Sequence, residues 1–355
     1  MLYAVLAIFM FGLLIAVHEF GHFITAKLSG VRVNEFAIGM GPLLWKREKG
    51  ETQYSLRLLP IGGYCAMEGE DEDSQDPKAF GRQGFWKKVL ILAAGSGMNF
   101  LAGLVLILIL LGQSAAFFVP VVGELYEGFP LEGEQGLMEG DRIISINGAR
   151  IYTYSDMTLY LDRGQGAPMD LVIERDGRRL VLEKLPLEKR EYTINGQTVY
   201  KFGIVPAVEE ATLPVKLRET VYSAIDFVRM VKIGLSDLVS GRAGIQDMSG
   251  PIGIVGAMTQ AGQEAEAANG LGAGIRSVIY FVSFIAINLA VMNLLPIPAL
   301  DGGRIFLLAV STLFTKLTRR KLDPKYEGYI HTAGFVLLLG LMAVVAFNDV
   351  FRFLR

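Results

Sequence analysis

Hydrophobic positions are concentrated in four long stretches of the chain, and polar segments separate them. The four stretches are Leu2–Ala26, about Val89–Leu111, about Val278–Leu295 and about Ile330–Phe347. An apolar helix of about 20 residues spans the hydrocarbon core of a bilayer. The pattern therefore predicts a polytopic α-helical membrane protein with about four transmembrane helices.

The segment between the first two stretches has a different pattern. Residues in Val31–Ile38 and Thr52–Leu59 partly alternate between apolar and polar and include β-branched types. Glycine and proline interrupt the pattern at residues 39–42 and again at residues 60–63. These features predict short strands and hairpins, so we expect a membrane-associated β-hairpin region here. The acidic run Glu68–Asp76 predicts a solvated loop.

A second polar segment, about Phe117–Pro206, has the pattern of a small β-rich domain. Residues 136–141 read Gly-Leu-x-x-Gly-Asp, and an alternating strand and an Asn-Gly turn at Asn147-Gly148 follow them. The strand Leu171–Arg175 is likewise followed by Asp-Gly. Two-residue Asn-Gly and Asp-Gly turns are typical of β-hairpins. The segment resembles a PDZ domain of bacterial type, and a generic small β-domain is the alternative.

These patterns divide the chain into four parts. We expect a first membrane part at residues 1–112, an inserted α+β PDZ domain at 113–206, an amphipathic membrane-associated linker at 207–275 and a second membrane part at 276–355. In the linker, Leu213–Ser240 has helical amphipathic spacing. Met248–Gly256 is apolar but too short to span, so we expect it at the membrane surface.

Composition supports a membrane protein and excludes other classes. The chain has 355 residues, of which 52% are hydrophobic, and its mean hydropathy is +0.39. The net charge of −2 gives no case for nucleic-acid binding. Cys65 is the single cysteine, which excludes an internal disulfide framework and a cysteine-based zinc site. The first stretch lacks a basic flank and a small-residue cleavage site, so we expect a retained span.

Lysine and arginine in the short connections predict the orientation. They are frequent between the first two spans and again between the third and fourth, where the residues are Lys316, Arg319, Arg320, Lys321 and Lys325. Basic residues mark cytoplasmic connections. The β-hairpin region is therefore predicted on the cytoplasmic side, and the PDZ-like domain and both termini on the outer side.

The first span carries the most informative motif. His18-Glu19-Phe20-Gly21-His22 places two imidazoles one helical turn apart on the same face, where one Zn²⁺ can bind both. Glu19 lies between them and is suited to act as a general base. Ionisable residues inside a membrane span are costly and usually functional. The sequence thus indicates hydrolytic zinc chemistry in the membrane; satisfied core histidines are the plainer alternative.

A zinc enzyme of this kind needs a third protein ligand, and the residues leave three candidates open: Asp301, His331 and Glu35. Asp301 is the best of them because it follows Pro296 and Pro298, which must break the third span. Broken backbone at membrane depth is tolerated only where protein or a water-filled cavity surrounds it. The alternative role for Asp301 is a helix N-cap.

Two motifs together resemble the site-2 protease family of intramembrane zinc metalloproteases. They are His18-Glu19-x-x-His22 in the first span and Asn293-x-x-Pro296-x-Pro298-x-Leu300-Asp301-Gly302 at the end of a later one. Further matches are Gly39-x-Gly41-Pro42, Gly62-Gly63-Tyr64 and Ser249-Gly250-Pro251. The inserted PDZ-like domain resembles the bacterial branch that processes anti-sigma factors, the regulator of sigma-E protease type. The resemblance covers essentially the whole chain.

The resemblance implies a role for each matching residue. His18, His22 and Asp301 would bind one Zn²⁺ per chain, and Glu19 would be the catalytic base and acid. Asn288 and Asn293 would hold the substrate backbone or the developing oxyanion, and an interhelical hydrogen bond is their alternative role. Apart from the resemblance, we expect the extended stretch that contains Pro296 and Pro298 to clamp one side of the substrate. Gly95-Ser96-Gly97-x-Asn99 departs from the family, which usually has proline where this chain has Ser96, and this puts the kink of the second span in doubt.

The same resemblance implies substrates and a location. The substrates would be single-span membrane proteins, such as anti-sigma factors or remnant signal peptides, already trimmed by an extracytoplasmic protease. The protein would lie in the bilayer of the bacterial cytoplasmic membrane, with its active site toward the cytoplasm. We further expect the strand Thr52–Leu59 to offer an edge to which an unwound substrate adds. A catalytically silent PDZ-bearing scaffold with a structural zinc, or a solute transporter, are the alternatives.

Overall fold

The computed structural model describes residues 1–70, 72, 74–194, 196–319 and 324–354. Asp71 and Asp73 of the acidic run, and Arg320 and Lys321 of the orientation argument, lie outside the described residues. The helices are α1 Leu2–Leu28, α2 Phe85–Gly112, α3 Tyr154–Arg163, α4 Leu213–Val239, α5 Pro251–Asn269, α6 Leu271–Asn293, α7 Asp301–Thr318 and α8 Pro324–Leu354. The strands are β1 Val33–Lys49, β2 Thr52–Met67, β3 Ala116–Leu125, β4 Arg142–Ile146, β5 Ala149–Arg150, β6 Met169–Arg175, β7 Arg178–Leu185, β8 Arg190–Ile194, β9 Gln197–Lys201 and β10 Ile204–Glu210.

Four of these helices are long and apolar enough to cross a membrane. They are Leu2–Leu28, Phe85–Gly112, Leu271–Asn293 and, within α8, Gly328–Phe351. Most residues of each span are not buried inside the protein, as expected where lipid covers apolar side chains. The four predicted stretches are therefore confirmed as helices, and the protein is a polytopic membrane protein.

The chain separates into two compact units: Met1–Ile107 together with Phe227–Arg355, and Leu108–Asp226. In the first unit, the beginning of α1 is fixed by Tyr3, whose hydroxyl donates to Glu266 Oε2 at 3.0 Å. The Tyr3 side chain lies directly against Gly262 of α5 and Gly274 of α6. A Cβ on Gly262 would lie 2.8 Å from Cγ of its ring, and a Cβ on Gly274 would lie 2.0 Å from its hydroxyl oxygen. Small residues at these positions let the helices pack closely around one ring.

Strands β1 and β2 are longer than the sequence pattern predicts, and each bends without ending. The predicted turn at residues 39–42 lies inside β1, where Gly39 and Gly41 have φ of +86° and +82°. Glycine adopts positive φ without steric cost, so the strand can bend and shift register while it remains paired. The expectation of separate short strands is therefore corrected to two long bent strands.

The register of these two strands gives residues 35–38 of β1 partners on both sides. Phe36 lies opposite Cys65 on one side and opposite Tyr54 on the other. Residues 53–56 are in turn paired with residues 45–48. Residues 63–67 have β1 on one side and, among the described residues, no second strand on the other. This part of β2 is therefore an open sheet edge.

The second unit contains a sheet of order β10-β3-β4-β6-β7, with β5 paired to β4, and the separate hairpin β8-β9. Its core is formed by apolar residues of the central strands and of α3, among them Ile143, Ile173 and Leu161, together with Leu187, which follows β7. Thr153 caps α3, and its hydroxyl accepts the Asp156 N–H at 3.0 Å. The predicted Asn-Gly and Asp-Gly turns lie between β4 and β5 and between β6 and β7, with positive φ at all four residues.

The Gly-Leu-x-x-Gly-Asp motif of this unit ends in a buried ion pair. The Asp141 side chain is fully buried, and its two oxygens accept hydrogen bonds of 2.7 Å from Nε and Nη2 of Arg175. Oδ2 also accepts the N–H of Met138 at 2.8 Å. Asp141 thus joins the turn before β4 to the end of β6. This geometry explains why the motif requires an aspartate.

Replacing Asp141→Asn should destabilise the second unit by about 2 kcal/mol, because the partly buried guanidinium of Arg175 loses its counter-charge and its charge-assisted hydrogen bonds. The change is measured in the full chain as faster amide exchange, or faster limited proteolysis, of residues 113–206. Glu188→Gln is the matched control, since the Glu188–Arg190 pair is exposed and should contribute less than about 0.5 kcal/mol. Equal protection in both variants would contradict this role.

Candidate active site

Helix α1 presents His18 and His22 on one face, as their spacing predicts. Both side chains are buried, and their Nε2 atoms are 3.2 Å apart. The rings meet edge to face, with centroids 4.8 Å apart. Two imidazoles this close, each with a nitrogen directed at the same point, have the geometry of a shared metal site.

Asp301 completes this group. Its Oδ2 lies 3.2 Å from Nε2 of His18 and 3.5 Å from Nε2 of His22. The three ligand atoms are within 4.8 Å of one another. Within the described residues, this is the one set of three or more metal-binding side chains that comes together. Of the three candidates for third ligand, the structure brings Asp301 to the histidines and not His331 or Glu35.

The broken end of the third span determines where Asp301 lies. Helix α6 ends at Asn293, and α7 begins at Asp301, so the segment with Pro296 and Pro298 is not helical. The N-cap of α7 is Leu300, without a side-chain cap, and Asp301 is the first helical residue. The alternative role of Asp301 as an N-cap is therefore wrong. Its carboxylate is free to face the histidines.

Two glycines allow this close return of the chain. A Cβ on Gly302 would lie 2.2 Å from the carbonyl oxygen of Leu294, and a Cβ on Gly303 would lie 2.1 Å from that of Ile297. Real Cβ atoms do not approach oxygen this closely. The start of α7 can pack on the preceding segment only because both residues lack a side chain.

The residues present fit a zinc ion. Oδ2 of Asp301 is buried and has no hydrogen-bond partner among the described residues, although two imidazole nitrogens are near it. Nδ1 of His22 lies 2.8 Å from the carbonyl oxygen of Ile91. If Nδ1 carries the proton and donates it, Nε2 keeps its lone pair for a metal. Two imidazoles and one carboxylate are a typical donor set for catalytic zinc.

Helix α2 supplies the other wall of the site. A Cβ on Gly21 would lie 2.4 Å from the carbonyl oxygen of Ala94, so α1 and α2 touch backbone to backbone. A Cβ on Gly95 would lie 2.3 Å from Nε2 of His22 and 2.7 Å from Cε1 of His18. Gly95 therefore leaves the space that the imidazoles occupy. The sequence signal was a glycine-rich stretch within an apolar span, which marks close helix packing.

The departure from the family at Ser96 does not break the second span. Helix α2 runs without interruption from Phe85 to Gly112. Ser96 is fully buried, and its hydroxyl has no partner in the part of the chain that the structure describes. One turn further, the Asn99 amide nitrogen lies 3.4 Å from Nδ1 of His18 while its Oδ1 has no partner.

Glu19 lies beside the open edge of the β region. A Cβ on Gly63 would be 3.4 Å from Cγ of Glu19 and 2.9 Å from the carbonyl oxygen of Ala37. The Glu19 carboxylate makes no hydrogen bond to another described residue, so its oxygens remain available as acceptors. The prediction that Thr52–Leu59 offers the open edge is wrong, because residues 53–56 are paired on both sides. The edge next to Glu19 is residues 63–67.

Glu35 has a structural role in the β region. Its Oε1 accepts hydrogen bonds from Oγ of Ser55 at 2.6 Å and from Nη2 of Arg57 at 2.9 Å. Partial burial raises the pKa of Glu35, but these hydrogen bonds lower it by more, and the resulting pKa lies below its usual range. The carboxylate is thus committed to the sheet.

The four predicted substrate-binding residues follow one another along the broken third span. Asn288 lies in α6, and Asn293 is its last residue. Both side chains are half-buried, and neither makes a hydrogen bond to another described residue. Pro298 packs against α8, where a Cβ on Gly334 would come within 2.3 Å of its Cβ. Their assignment to substrate remains a prediction.

The acidic run is less solvated than predicted. Glu70 forms a partly buried ion pair with Arg304, one turn after Asp301. Glu68 accepts hydrogen bonds from Asn34 at 2.8 Å and Ser74 at 2.5 Å. The start of this loop is therefore tied to the β region and to α7. The sequence pattern did not indicate Asn34 and Arg304 as partners, because they come from distant segments.

The fold and the site together define a class of protein, the multi-pass membrane metallopeptidases. The candidate zinc ligands lie on the first span and just after the broken end of the third span. Comparison with known proteins agrees. The model of peptidase family M50 matches residues 6–341. The chain belongs to this family, the site-2 protease family, and is a site-2-type intramembrane metalloprotease with a zinc cofactor.

Similar proteins cover the chain from end to end. Two clostridial relatives carry names that describe them as candidate zinc metalloproteases. The one from Clostridium acetobutylicum is 37% identical over 98% of this chain and 96% of its own length. The one from Clostridium perfringens is 36% identical over 98% of both chains. The regulator of sigma-W protease RasP of Bacillus subtilis is 28% identical over 97% of both. Family membership confirms the protease interpretation over the scaffold and transporter alternatives.

Proposed function

We propose that this protein is an endopeptidase that cleaves the transmembrane segments of single-span membrane proteins. His18, His22 and Asp301 hold the zinc ion, and Glu19 is the general base and acid. The observation that carries this proposal is the convergence of the three ligand atoms within 4.8 Å, beside a glutamate on the same span. A structural zinc site needs no adjacent base.

The chain's own residues account for the proton transfers. When bound, Zn²⁺ supplies a Lewis acid that acidifies water and polarises the scissile carbonyl. A carboxylate oxygen of Glu19 accepts the proton of the attacking water and then passes it to the leaving amine nitrogen. Nδ1 of His22, bonded to the carbonyl of Ile91, keeps that imidazole oriented throughout.

The substrate must unwind before it can react, because a transmembrane helix uses its carbonyls in internal hydrogen bonds. The open edge of residues 63–67 can receive an unwound strand through main-chain hydrogen bonds. Gly63 brings this edge against Glu19. Asn288, Asn293, Pro296 and Pro298 hold the other side of the substrate. Cleavage therefore takes place between the β region and the broken end of the third span.

Crosslinking tests the position of the substrate strand. Ala66 and Gln53 are both half-buried and both lie opposite Glu35, but Ala66 is on the open side and Gln53 on the paired side. In a Cys65→Ser, Glu19→Gln background, Ala66→Cys should form a disulfide with a single-cysteine substrate. Gln53→Cys is the control and should form none. Crosslinking at residue 53 alone would contradict the open-edge assignment.

The remaining assignments concern location and substrate selection. We place the protein in the bacterial cytoplasmic membrane, with the β region and active site toward the cytoplasm and both termini outside; the basic residues of the connections support this. Residues 113–206 form an extracytoplasmic PDZ domain, supported by the sheet, helix and turn glycines of that segment. It admits substrates already trimmed by an outer protease, such as anti-sigma factors or remnant signal peptides.

The ligand assignment is tested by zinc content and cleavage of a single-span substrate in detergent-purified protein. Asp301→Ala removes one of three ligands, so we expect both zinc and cleavage to be lost. Asp247→Ala is a control, because Asp247 is exposed, lies outside the group of three metal-binding side chains, and accepts the N–H of Gly244 at 2.8 Å. Full zinc occupancy in Asp301→Ala would exclude Asp301 as a ligand.

A further inference from the structure

The segment before Asp301 contains a backbone conformation that its residue does not favour. Ala299 has φ of +74°, in the left-handed region that L-residues other than glycine rarely adopt. Leu300 is then extended, with φ of −98° and ψ of 161°, and α7 begins at Asp301. The direction in which Asp301 leaves the turn is thus set at Ala299. Such a conformation persists only where the surroundings hold it.

His331 supplies that support from α8. The N–H of Ala299 donates to Nδ1 of His331, with 3.3 Å between the two nitrogens. A histidine nitrogen can accept only through its lone pair, so Nδ1 carries no proton in this arrangement. Three residues further along the same helix face, Gly334 packs against Pro298, where a Cβ would come within 2.3 Å of the proline Cβ. Together His331 and Gly334 form a seat for Pro298 and Ala299.

Helix α8 is itself fixed at its far end, so it can serve as a support. Asp349 is buried and accepts the N–H groups of Gly250 and Gly253 at 3.3 and 2.9 Å. These are N–H groups at the start of α5, which lack partners within their own helix. A carboxylate at a helix N-terminus is electrostatically favourable. The helix that carries His331 is therefore anchored to the rest of the membrane unit.

We propose that His331 is a positioning residue: its hydrogen bond holds the left-handed turn at Ala299 and thereby places the Asp301 carboxylate at the two histidines. The inference rests on the proposed role of Asp301 as a zinc ligand. The sequence left His331 open as a third ligand, but the structure does not include it in the ligand group. Its Nδ1 instead faces the backbone two residues before Asp301.

If His331 acts by supporting the turn at Ala299, a second substitution at Ala299 should rescue the loss of zinc affinity. A general packing role for His331 does not predict this rescue. His331→Leu removes the acceptor, so Ala299 loses its support, and we expect zinc affinity to fall about tenfold, as for outer partners of metal ligands. Ala299→Gly adopts positive φ without support, so alone it should bind zinc like the wild type. The double variant should regain most of the affinity, since glycine no longer needs the hydrogen bond. His331→Gln offers an amide oxygen as acceptor and should retain affinity.

The experiment measures zinc retention against a competing chelator and amide exchange of the peptide containing Ala299, in detergent-purified full-length protein. His331→Leu should speed exchange at Ala299 at least tenfold. Thr332→Leu is the control on the same helix: its hydroxyl bonds to the Gly328 carbonyl of α8 itself, and both readouts should stay unchanged. Thermal unfolding of every variant is recorded to identify general loss of structure.

Each outcome decides the inference. Weaker zinc retention in His331→Leu, restored when Ala299→Gly is added, supports it. Unchanged exchange at Ala299 in His331→Leu, or a zinc loss that Ala299→Gly does not restore, overturns it. Asp301→Ala tests the ligand role separately from the role of His331: this variant should lose zinc while amide exchange at Ala299 stays slow. Zinc retained in that variant would overturn the proposed ligand set, whereas unchanged exchange in His331→Leu would overturn only the role of His331.

Discussion

Gly95→Ala is expected to weaken zinc binding strongly and to abolish cleavage, although it adds a single methyl group in a different helix from the two histidines. The added Cβ would lie 2.3 Å from Nε2 and 2.8 Å from Cε1 of His22, and 2.7 Å from Cε1 of His18. Packed atoms do not approach this closely, so at least one imidazole must move. The moved ring would no longer direct its nitrogen at the shared point.

The His22 ring also cannot easily move away from a methyl group at position 95, which is a second reason to expect weaker zinc binding. Its Nδ1 is bonded at 2.8 Å to the carbonyl oxygen of Ile91, one turn before Gly95 on the same helix. A rotation that relieved the contact with the new methyl would break this bond and change the direction of Nε2. We expect zinc affinity to fall at least about a hundredfold, the upper end of the effects seen when the support of a ligand is lost.

Gly97→Ala is the matched control for this prediction. It lies two residues further along α2, and a Cβ there meets nothing within 4 Å among the described residues. Both variants add the same methyl and improve helix propensity equally, so any difference comes from the contact with the histidines. The measurement is zinc content together with cleavage of a single-span substrate. Zinc bound normally by Gly95→Ala would show that the histidines do not occupy these positions.

Glu19→Gln should leave zinc bound and reduce cleavage about a thousandfold. Glutamine has the shape of glutamate but cannot accept the proton of the attacking water, and a positioned base contributes about 10²- to 10⁴-fold. Glu19 is not among the three side chains whose ligand atoms converge. The metal site should therefore survive the substitution.

Zinc content and cleavage rate are measured on the same preparation, so that loss of the base is separated from loss of the metal. Glu48→Gln is the control, because Glu48 is an exposed glutamate of β1 whose side chain is 72% exposed, and it should change neither quantity. Asp301→Ala gives the contrasting pattern, in which zinc and cleavage disappear together. Substantial cleavage by Glu19→Gln would exclude its role as the base.

Much of this arrangement follows from local sequence patterns. Helical spacing alone places His18 and His22 on one face, and an apolar flank of sufficient length makes that helix a span. Pro296 and Pro298 end the third span for a reason present in the residues themselves, since neither has an N–H to donate. These predictions succeed because the interactions involved connect residues a few positions apart.

Other features could not be read from the pattern. In the sequence, a helix N-cap was an alternative role for Asp301. Only the close return of the chain at Gly302 and Gly303 brings its carboxylate to the histidines. The strand edge was assigned to the wrong segment, because the same alternating pattern describes a strand with one neighbour or two. Glu35 and His331 looked like ligand candidates until their partners, Arg57 and the Ala299 N–H, were located.

The sequence by itself determined the four spans and the chemistry that they carry: a histidine pair with its glutamate, and a broken helix followed by an aspartate. The tertiary structure decided which of the candidate groups meet. The physical reason is that helix periodicity and proline geometry act within a few residues. The third ligand, the glycine wall of α2 and the support from α8 depend instead on contacts between segments tens to hundreds of positions apart.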